Sequence, residues 1–104
     1  MRRRNCIISN AGDTLVNERI RGLHTDAIEL LRSSHIVFAN LEGPATERGT
    51  PADKWITLKQ KPSLLAQYEK MNITVFNLAN NHMLDHGQVG LLDTLENLNR
   101  KGIK

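Results

Sequence analysis

Asn77-Leu78-Ala79-Asn80-Asn81-His82-Met83-Leu84-Asp85-His86-Gly87 follows directly on the short apolar run Ile73-Thr74-Val75-Phe76. A β-branched and aromatic run that stops abruptly at amides and imidazoles reads as a buried strand, here Ile73 to Phe76, delivering a loop. Open α/β sheets place their sites in the loops at the carboxyl ends of strands. Six of the eleven residues carry amide, imidazole or carboxylate groups, more coordinating and hydrogen-bonding capacity than a turn requires. A plain capping loop fits less well, because the helical pattern begins only after Gly87.

The flanking chain supplies the same alternation on both sides. Asn5 to Ser9 is a short apolar run broken at Asn10-Ala11-Gly12-Asp13, which reads as a first strand and a turn that leaves Asp13 at the strand's carboxyl end. Thr14 to His24 is mixed and reads as loop with some helical character. Thr25 is the expected N-cap of a helix over Asp26 to Arg32, with Asp26 in the first turn against the helix dipole. His35 to Ala39 is a second strand, apolar almost throughout, as expected of a strand covered on both faces in a parallel sheet. It delivers Asn40, Leu41, Glu42 and Gly43.

Pro44 to Lys61 has no sustained period and forms a long excursion, of the kind that is functional or mobile in compact domains. Trp55 is expected to anchor it, through an extended Trp55-Ile56-Thr57-Leu58 piece. Pro62 suits the first turn of a helix over Ser63 to Lys70. A last helix is expected over Gln88 to Arg100, with Leu91, Leu92, Leu95 and Leu98 on its apolar side, Asp93 and Glu96 on its solvated side, and a Glu96 to Arg100 pair. Gly102 fits its C-cap, and Ile103-Lys104 reads as the first step of another strand.

Strand, helix, strand, helix, strand, helix is the signature of a layered α/β fold with a mostly parallel sheet and right-handed crossovers. All carboxyl-end loops of such a sheet lie along one edge. Asp13, Asn40 with Glu42, and Asn81 with His82 each follow a different strand, so residues remote in sequence are expected to converge there. Carboxylate oxygens, an amide carbonyl and an imidazole nitrogen are ligand types for Mg, Mn, Fe or Zn, and Glu42 is the natural bridge between two cations. A spare imidazole nearby could donate a proton to a leaving group. Two cations need on the order of ten ligand positions, more than this rim supplies, so it reads as half a site.

At 104 residues the chain is a single domain at most. Its formal charge of +3 includes Arg2, Arg3 and Arg4, read as a solvated terminus. The four aromatic residues, Phe38, Trp55, Tyr68 and Phe76, are scattered rather than interleaved with basic residues, which argues against a nucleic-acid surface. Cys6 has no internal disulfide partner and, beside Ile7 and Ile8, reads as a small buried hydrophobe. No stretch is long enough to be a secretory core or to span a membrane, so the expectation for the chain as given is a cytoplasmic location. Nucleotide and serine-hydrolase chemistry lack their motifs: no Gly-rich phosphate loop follows the first strand, and there is no Gly-x-Ser-x-Gly elbow. His24 and His35 read as surface or internally satisfied residues rather than ligands.

Gly12-Asp13, Asn40-Leu41-Glu42-Gly43-Pro44, Leu78-Ala79-Asn80-Asn81-His82, Leu84-Asp85-His86-Gly87 and Gly90-Leu91 together resemble the bacterial capsule-synthesis protein CapA family, also called the poly-gamma-glutamate biosynthesis family. Members of that family are often membrane-associated. Their fold is similar to the calcineurin-like metallophosphoesterases, a four-layered α/β sandwich with a dinuclear metal site on its loops. The resemblance implies that 1–104 is the amino-terminal portion of a longer domain, an incomplete half of that sandwich whose later His-containing blocks complete the metal shell. It also implies that Asp13 is a metal ligand from the first strand, that Glu42 replaces the usual bridging Asp, and that Asn81 is a ligand of the second metal. His82 would be the acid that contacts the substrate oxygen. Asn40, Asn80, Asp85 and His86 would support these groups or meet substrate. Asp85 could equally cap the following helix, and His86 could belong to a cap turn or to the rim. Leu15 stands where the phosphoesterase pattern has a His.

The resemblance thus implies a protein of capsule or poly-gamma-glutamate biosynthesis, with divalent cations as cofactors and an anionic polymer or a phosphoester-like compound as substrate. Weak metal binding and little hydrolase activity are expected of these residues alone. The alternative is a non-catalytic interaction module that uses the same polar rim without metal. A three-stranded sheet with an uncovered edge further predicts marginal stability or self-association.

Overall fold

A computed structural model describes residues 5–16 and 24–104. The Arg2 to Arg4 run, and most of the stretch read as loop between Thr14 and His24, lie outside the described residues. In chain order the elements are β1 (Ile8–Thr14), α1 (Thr25–Arg32), β2 (Ile36–Leu41), a 3-10 turn (Pro62–Leu65) running into α2 (Ala66–Lys70), β3 (Val75–Asn77) and α3 (Gly87–Arg100). The strands form one parallel sheet in the order β1-β2-β3. This is the expected α/β architecture, with an incomplete layered sheet.

β1 runs further than the polar sequence Asn10-Ala11-Gly12-Asp13 suggested. Asn10 pairs with Phe38 and Asp13 with Asn40, so β1 contains one extra residue across that interval. The turn-like composition belongs to a bulge: Gly12 takes φ 73°, and its N–H is held by Asn10 Oδ1 at 2.9 Å. The strand therefore continues to Thr14 instead of ending at Ser9, and Asp13 sits within the ladder.

The core lies on one side of β2. Val37, Ala39 and Leu41 alternate inward and are fully buried, joined by Leu65, Tyr68, Ile73, Phe76, Met83, Leu98 and Ile103. Each large apolar side chain buried in this way contributes about 2 kcal/mol. Tyr68 and Phe76 meet edge to face, their ring centroids 5.0 Å apart. On the other side the expected coverage is absent among the described residues. Ile36 is exposed, Phe38 is half-buried, α1 buries none of its residues, and Ile8 and Leu30 are each 65% exposed. Cys6 is likewise exposed rather than buried. Thr25 is the first helical residue of α1 instead of its cap, and His24 in the cap position makes no side-chain capping bond.

α3 packs differently from its leucine pattern. Its buried stripe is Gly90, Thr94 and Leu98, while Leu92 and Leu95 are 54% and 48% exposed. Small residues at this spacing let the start of the excursion lie flat on the helix, and a Cβ at Gly90 would come within 3.2–3.5 Å of His86, Thr46 and Pro44. Thr94 Oγ1 accepts the Ala45 N–H at 2.9 Å, and Asn97 Nδ2 donates to the Ala45 carbonyl at 3.1 Å. Asp93, expected to be solvated, is instead largely covered and paired with Arg48, whereas Glu96 is exposed and bonded to Arg100. The helix closes as anticipated: Gly102 at φ 69° donates to Asn99 O and Ile103 donates to Leu98 O, a Schellman end. Lys104 then donates to Thr74 O and accepts from Phe76 N, the hydrogen-bond pattern of a parallel strand beginning beside β3.

The excursion is tied down at both ends. Ala45 and Gln60 form a parallel bridge. The buried Gln60 side chain bonds Gly43 O, Val16 N and the Tyr68 hydroxyl. Trp55, the expected anchor, is fully exposed and Ile56 is 63% exposed, so polar contacts rather than an aromatic plug secure the loop.

Candidate functional site

The parallel register brings Asp13 of β1, Asn40 of β2 and Asn77 of β3 abreast across the sheet. Their side chains form a continuous chain of hydrogen bonds. Asn40 Nδ2 donates to Asp13 Oδ1 at 2.9 Å, and Asn40 Oδ1 accepts from Asn77 Nδ2 at 2.8 Å and from Asn80 Nδ2 at 3.1 Å. Asn80 also donates to Leu41 O and, through its Oδ1, accepts the His82 N–H at 3.0 Å. Amides suit this position because each offers donors and an acceptor at once, so one side chain can bridge two strands. Residues from three different strands thus meet, but Asp13, Asn40 and Asn77 lie within the strands rather than in the loops after them.

Beyond Asn80 the chain makes a turn that folds Asp85 back beneath His82. The Asp85 side chain is only 1% exposed. One carboxylate oxygen accepts from Lys54 Nζ at 2.5 Å; the other accepts the Leu58 N–H at 2.7 Å and lies 2.6 Å from His82 Nδ1. The Asp85 carbonyl also accepts the Ala52 N–H at 2.7 Å. Burial pushes the Asp85 carboxyl up, but the donors from Lys54, Leu58 and His82 outweigh it and leave the group below the ordinary carboxylate value. An ionised Asp85 accepts only, so the proton shared with His82 belongs on Nδ1 and leaves Nε2 free.

The other residues singled out in the sequence occupy distinct places. Asp13 is exposed and Glu42 half-buried, and neither enters an ion pair among the described residues. Asn81 is exposed, and its carbonyl accepts from Lys54 Nζ at 2.9 Å. Asp85 does not cap α3. His86 occupies the N-cap position without a side-chain capping bond; it is buried, and its Nδ1 has no partner among the described residues. His35 is a satisfied surface residue, its Nδ1 accepting the Ile7 N–H. Among the described residues no three His, Cys, Asp or Glu side chains are grouped so as to hold a metal ion.

Lys54 and Asn77 are the residues that sequence reasoning missed. Asn77 carried a signal, since it is the first polar residue after the third strand run. Lys54 carried none, because its meeting with Asp85 depends on the path of the excursion.

A family model described as bacterial capsule synthesis protein PGA_cap matches residues 7–104. The chain is 40% identical over 68 residues to the PGA biosynthesis protein CapA of Bacillus subtilis (strain 168), an alignment covering 64% of this chain and 18% of that protein. It is 37% identical over 70 residues to the capsule biosynthesis protein CapA of Bacillus anthracis, covering 64% of this chain and 17% of that one. The matched segment thus spans less than a fifth of the length of these curated relatives.

Proposed function

The chain belongs to the bacterial capsule synthesis protein PGA_cap family, and from that premise we propose that it forms the amino-terminal rim of a divalent-metal site in a protein of capsule or poly-gamma-glutamate biosynthesis. The carrying observation is the hydrogen-bonded row Asp13–Asn40–Asn77, continued through Asn80 to His82 and Asp85. Such a network fixes side chains before any ligand arrives, which is what a site with exact geometric demands needs. Asp13 and Glu42 are rim carboxylates outside any ion pair among the described residues, and Asn81, in the loop after β3, is exposed. Two carboxylates and an amide are hard oxygen donors that suit Mg or Mn, with further ligands required from outside these residues.

On this reading Asp13, Glu42 and Asn81 hold the cation, which when bound polarises a substrate oxygen. His82 presents Nε2, which first takes up a proton to give an imidazolium stabilised by Asp85 and then passes that proton to the leaving group; Asp85 also holds the ring in orientation, and Asn40 and Asn80 keep the rim loops in register. The substrate class is an anionic polymer or a phosphoester-like compound. Calorimetric titration of Mn²⁺ into the wild type, Glu42→Ala and Asn81→Ala tests the assignment. Weak binding that drops at least tenfold in each variant is expected; equal affinity in all three proteins overturns it.

One observation favours a second reading, a metal-free interaction module. Trp55, Ile56 and Leu84 are exposed apolar residues adjacent in sequence to Lys54 and Asp85, and apolar side chains flanking a polar site are common where a partner docks. Mn²⁺ affinity indifferent to both substitutions would favour this module.

A further inference from the structure

We propose that Lys54, on the long excursion, is a positioning residue for His82, acting through Asp85 to hold the imidazole with its proton on Nδ1 and its Nε2 bare. The proposal rests on the reading above only in giving His82 the reacting role. Its physical basis is independent of any metal.

The excursion crosses the rim with three separate bonds to one residue. Ala52 N–H reaches the Asp85 carbonyl, Lys54 Nζ reaches one Asp85 oxygen, and Leu58 N–H reaches the other. His82 Nδ1 meets the same oxygen that Leu58 does. A carboxylate bonded by His82 alone could swing about its terminal torsion, which is broad in Asp. Lys54 and Leu58 remove that freedom by fixing one oxygen each. Lys54 also donates to the Asn81 carbonyl at 2.9 Å, so the same ammonium holds the backbone immediately before His82. Its side chain is 34% exposed, against 14% for His82 and 1% for Asp85. About a third of the Lys54 side chain thus meets solvent, while its ammonium is held by two oxygens.

The arrangement constrains the other ring nitrogen. Asn80 Oδ1 holds the His82 backbone N–H and Asp85 holds Nδ1, while Nε2 has no partner among the described residues. A carboxylate placed behind an imidazole selects the tautomer and orients the ring, leaving the distal nitrogen to act. The element that keeps the carboxylate in place comes from the excursion and not from the strand loops.

The test reads the tautomer directly. Long-range proton–nitrogen correlation spectra of the ¹⁵N-labelled chain, recorded where imidazoles are neutral, distinguish a protonated Nδ1 from a protonated Nε2, and His82→Gln identifies the His82 signals among the four histidines. The wild type is expected to show a single Nδ1–H form. Lys54→Met is expected to lose that single-form pattern, and Lys54→Arg to keep it, since Arg restores a charged donor. A purely structural role for Lys54 would change thermal stability and leave the tautomer alone. A wild-type His82 protonated on Nε2, or a folded Lys54→Met protein with its His82 pattern unchanged, overturns the proposal. Should Lys54→Met lose its dispersed spectrum, Lys54→Gln serves in its place, and a wild-type His82 protonated on Nε2 overturns the proposal whatever the variants do. No metal enters the measurement, so its outcome is separable from that of the Mn²⁺ titration.

Discussion

The Asp93 carboxylate on α3 holds two residues of the excursion at once. It accepts from the Thr46 hydroxyl at 2.6 Å and from Arg48 Nε at 3.0 Å, while its second oxygen takes Arg48 Nη2. The segment following Pro44 is thereby fastened to the last helix, opposite in sequence to the Lys54 and Asp85 contact that fastens its middle.

This pairing gives a pH dependence with a defined sign. The Arg48 guanidinium, followed by the Thr46 hydroxyl, holds the Asp93 carboxyl down to about 2, against about 3.9 for an unperturbed Asp. A depressed native value means that the unfolded chain binds the proton more readily. The stability from Asp93 is therefore complete above the ordinary carboxylate range and is lost as pH falls from there through about 2. Thermal melts of the wild type and Asp93→Asn at neutral and acidic pH should show the variant less stable at neutral pH, with the gap closing in acid. A gap that stays constant would refute the pairing.

Tyr68 is predicted to titrate late. It is the single tyrosine of the chain, and burial pushes its phenol up to about 12 despite the opposing hydrogen bonds. A raised native value stabilises the fold fully below the ordinary tyrosine range near ~10 and loses that contribution as pH rises through about 12. The ultraviolet phenolate signal should thus appear only above the ordinary range, or coincide with alkaline unfolding. Tyr68→Phe removes the 2.6 Å bond to Gln60 Oε1 and should cost about 1 kcal/mol by denaturant unfolding.

Gly49 is predicted to be the glycine least tolerant of a side chain. It sits at φ 89°, and an added Cβ would stand 2.1 Å from the His86 carbonyl oxygen. Gly49→Ala should cost about 2 kcal/mol, or displace the loop from His86. Gly102→Ala is the control: its φ of 69° carries the backbone penalty, but nothing lies within 4 Å of the new methyl, so about 1 kcal/mol is expected. Equal costs at the two positions would show that the close approach to His86 is unimportant.

The order and type of the elements could be read from the chain because each strand begins in or beside a short apolar run that gives way to polar residues. Asp13, Asn40 and the loop after β3 were placed together by sheet topology alone, and that convergence is present. The extent of β1 was not legible, since a bulge and a turn share the composition Asn10-Ala11-Gly12-Asp13 and differ only in what pairs across from them. Leucine spacing marks Leu91 and Leu98, which do pack on the core, but also Leu92 and Leu95, which are exposed, and it misses Gly90 and Thr94. Here the neighbour is an extended segment, which lies closest against Gly90 and Thr94. Trp55 failed as an anchor for a related reason: Gln60, Lys54 and Arg48 perform that task through hydrogen bonds, and no periodicity records them. Asp85 was read as a supporting or capping group, but its burial and its grip on Lys54 follow from the loop's path and not from its own neighbours in sequence.

The full exposure of Trp55 makes the chain's single indole an optical sensor of one region rather than of the whole fold. Its ring is already solvated in the native state, so its emission should shift little when the core melts, and fluorescence would underreport unfolding that circular dichroism detects. The same ring adjoins Lys54 in the chain. A partner that covers this part of the excursion would desolvate it, moving its emission to shorter wavelength and shielding it from aqueous quenchers. Contacts made at the excursion and integrity of the fold can thus be followed by separate signals in one sample.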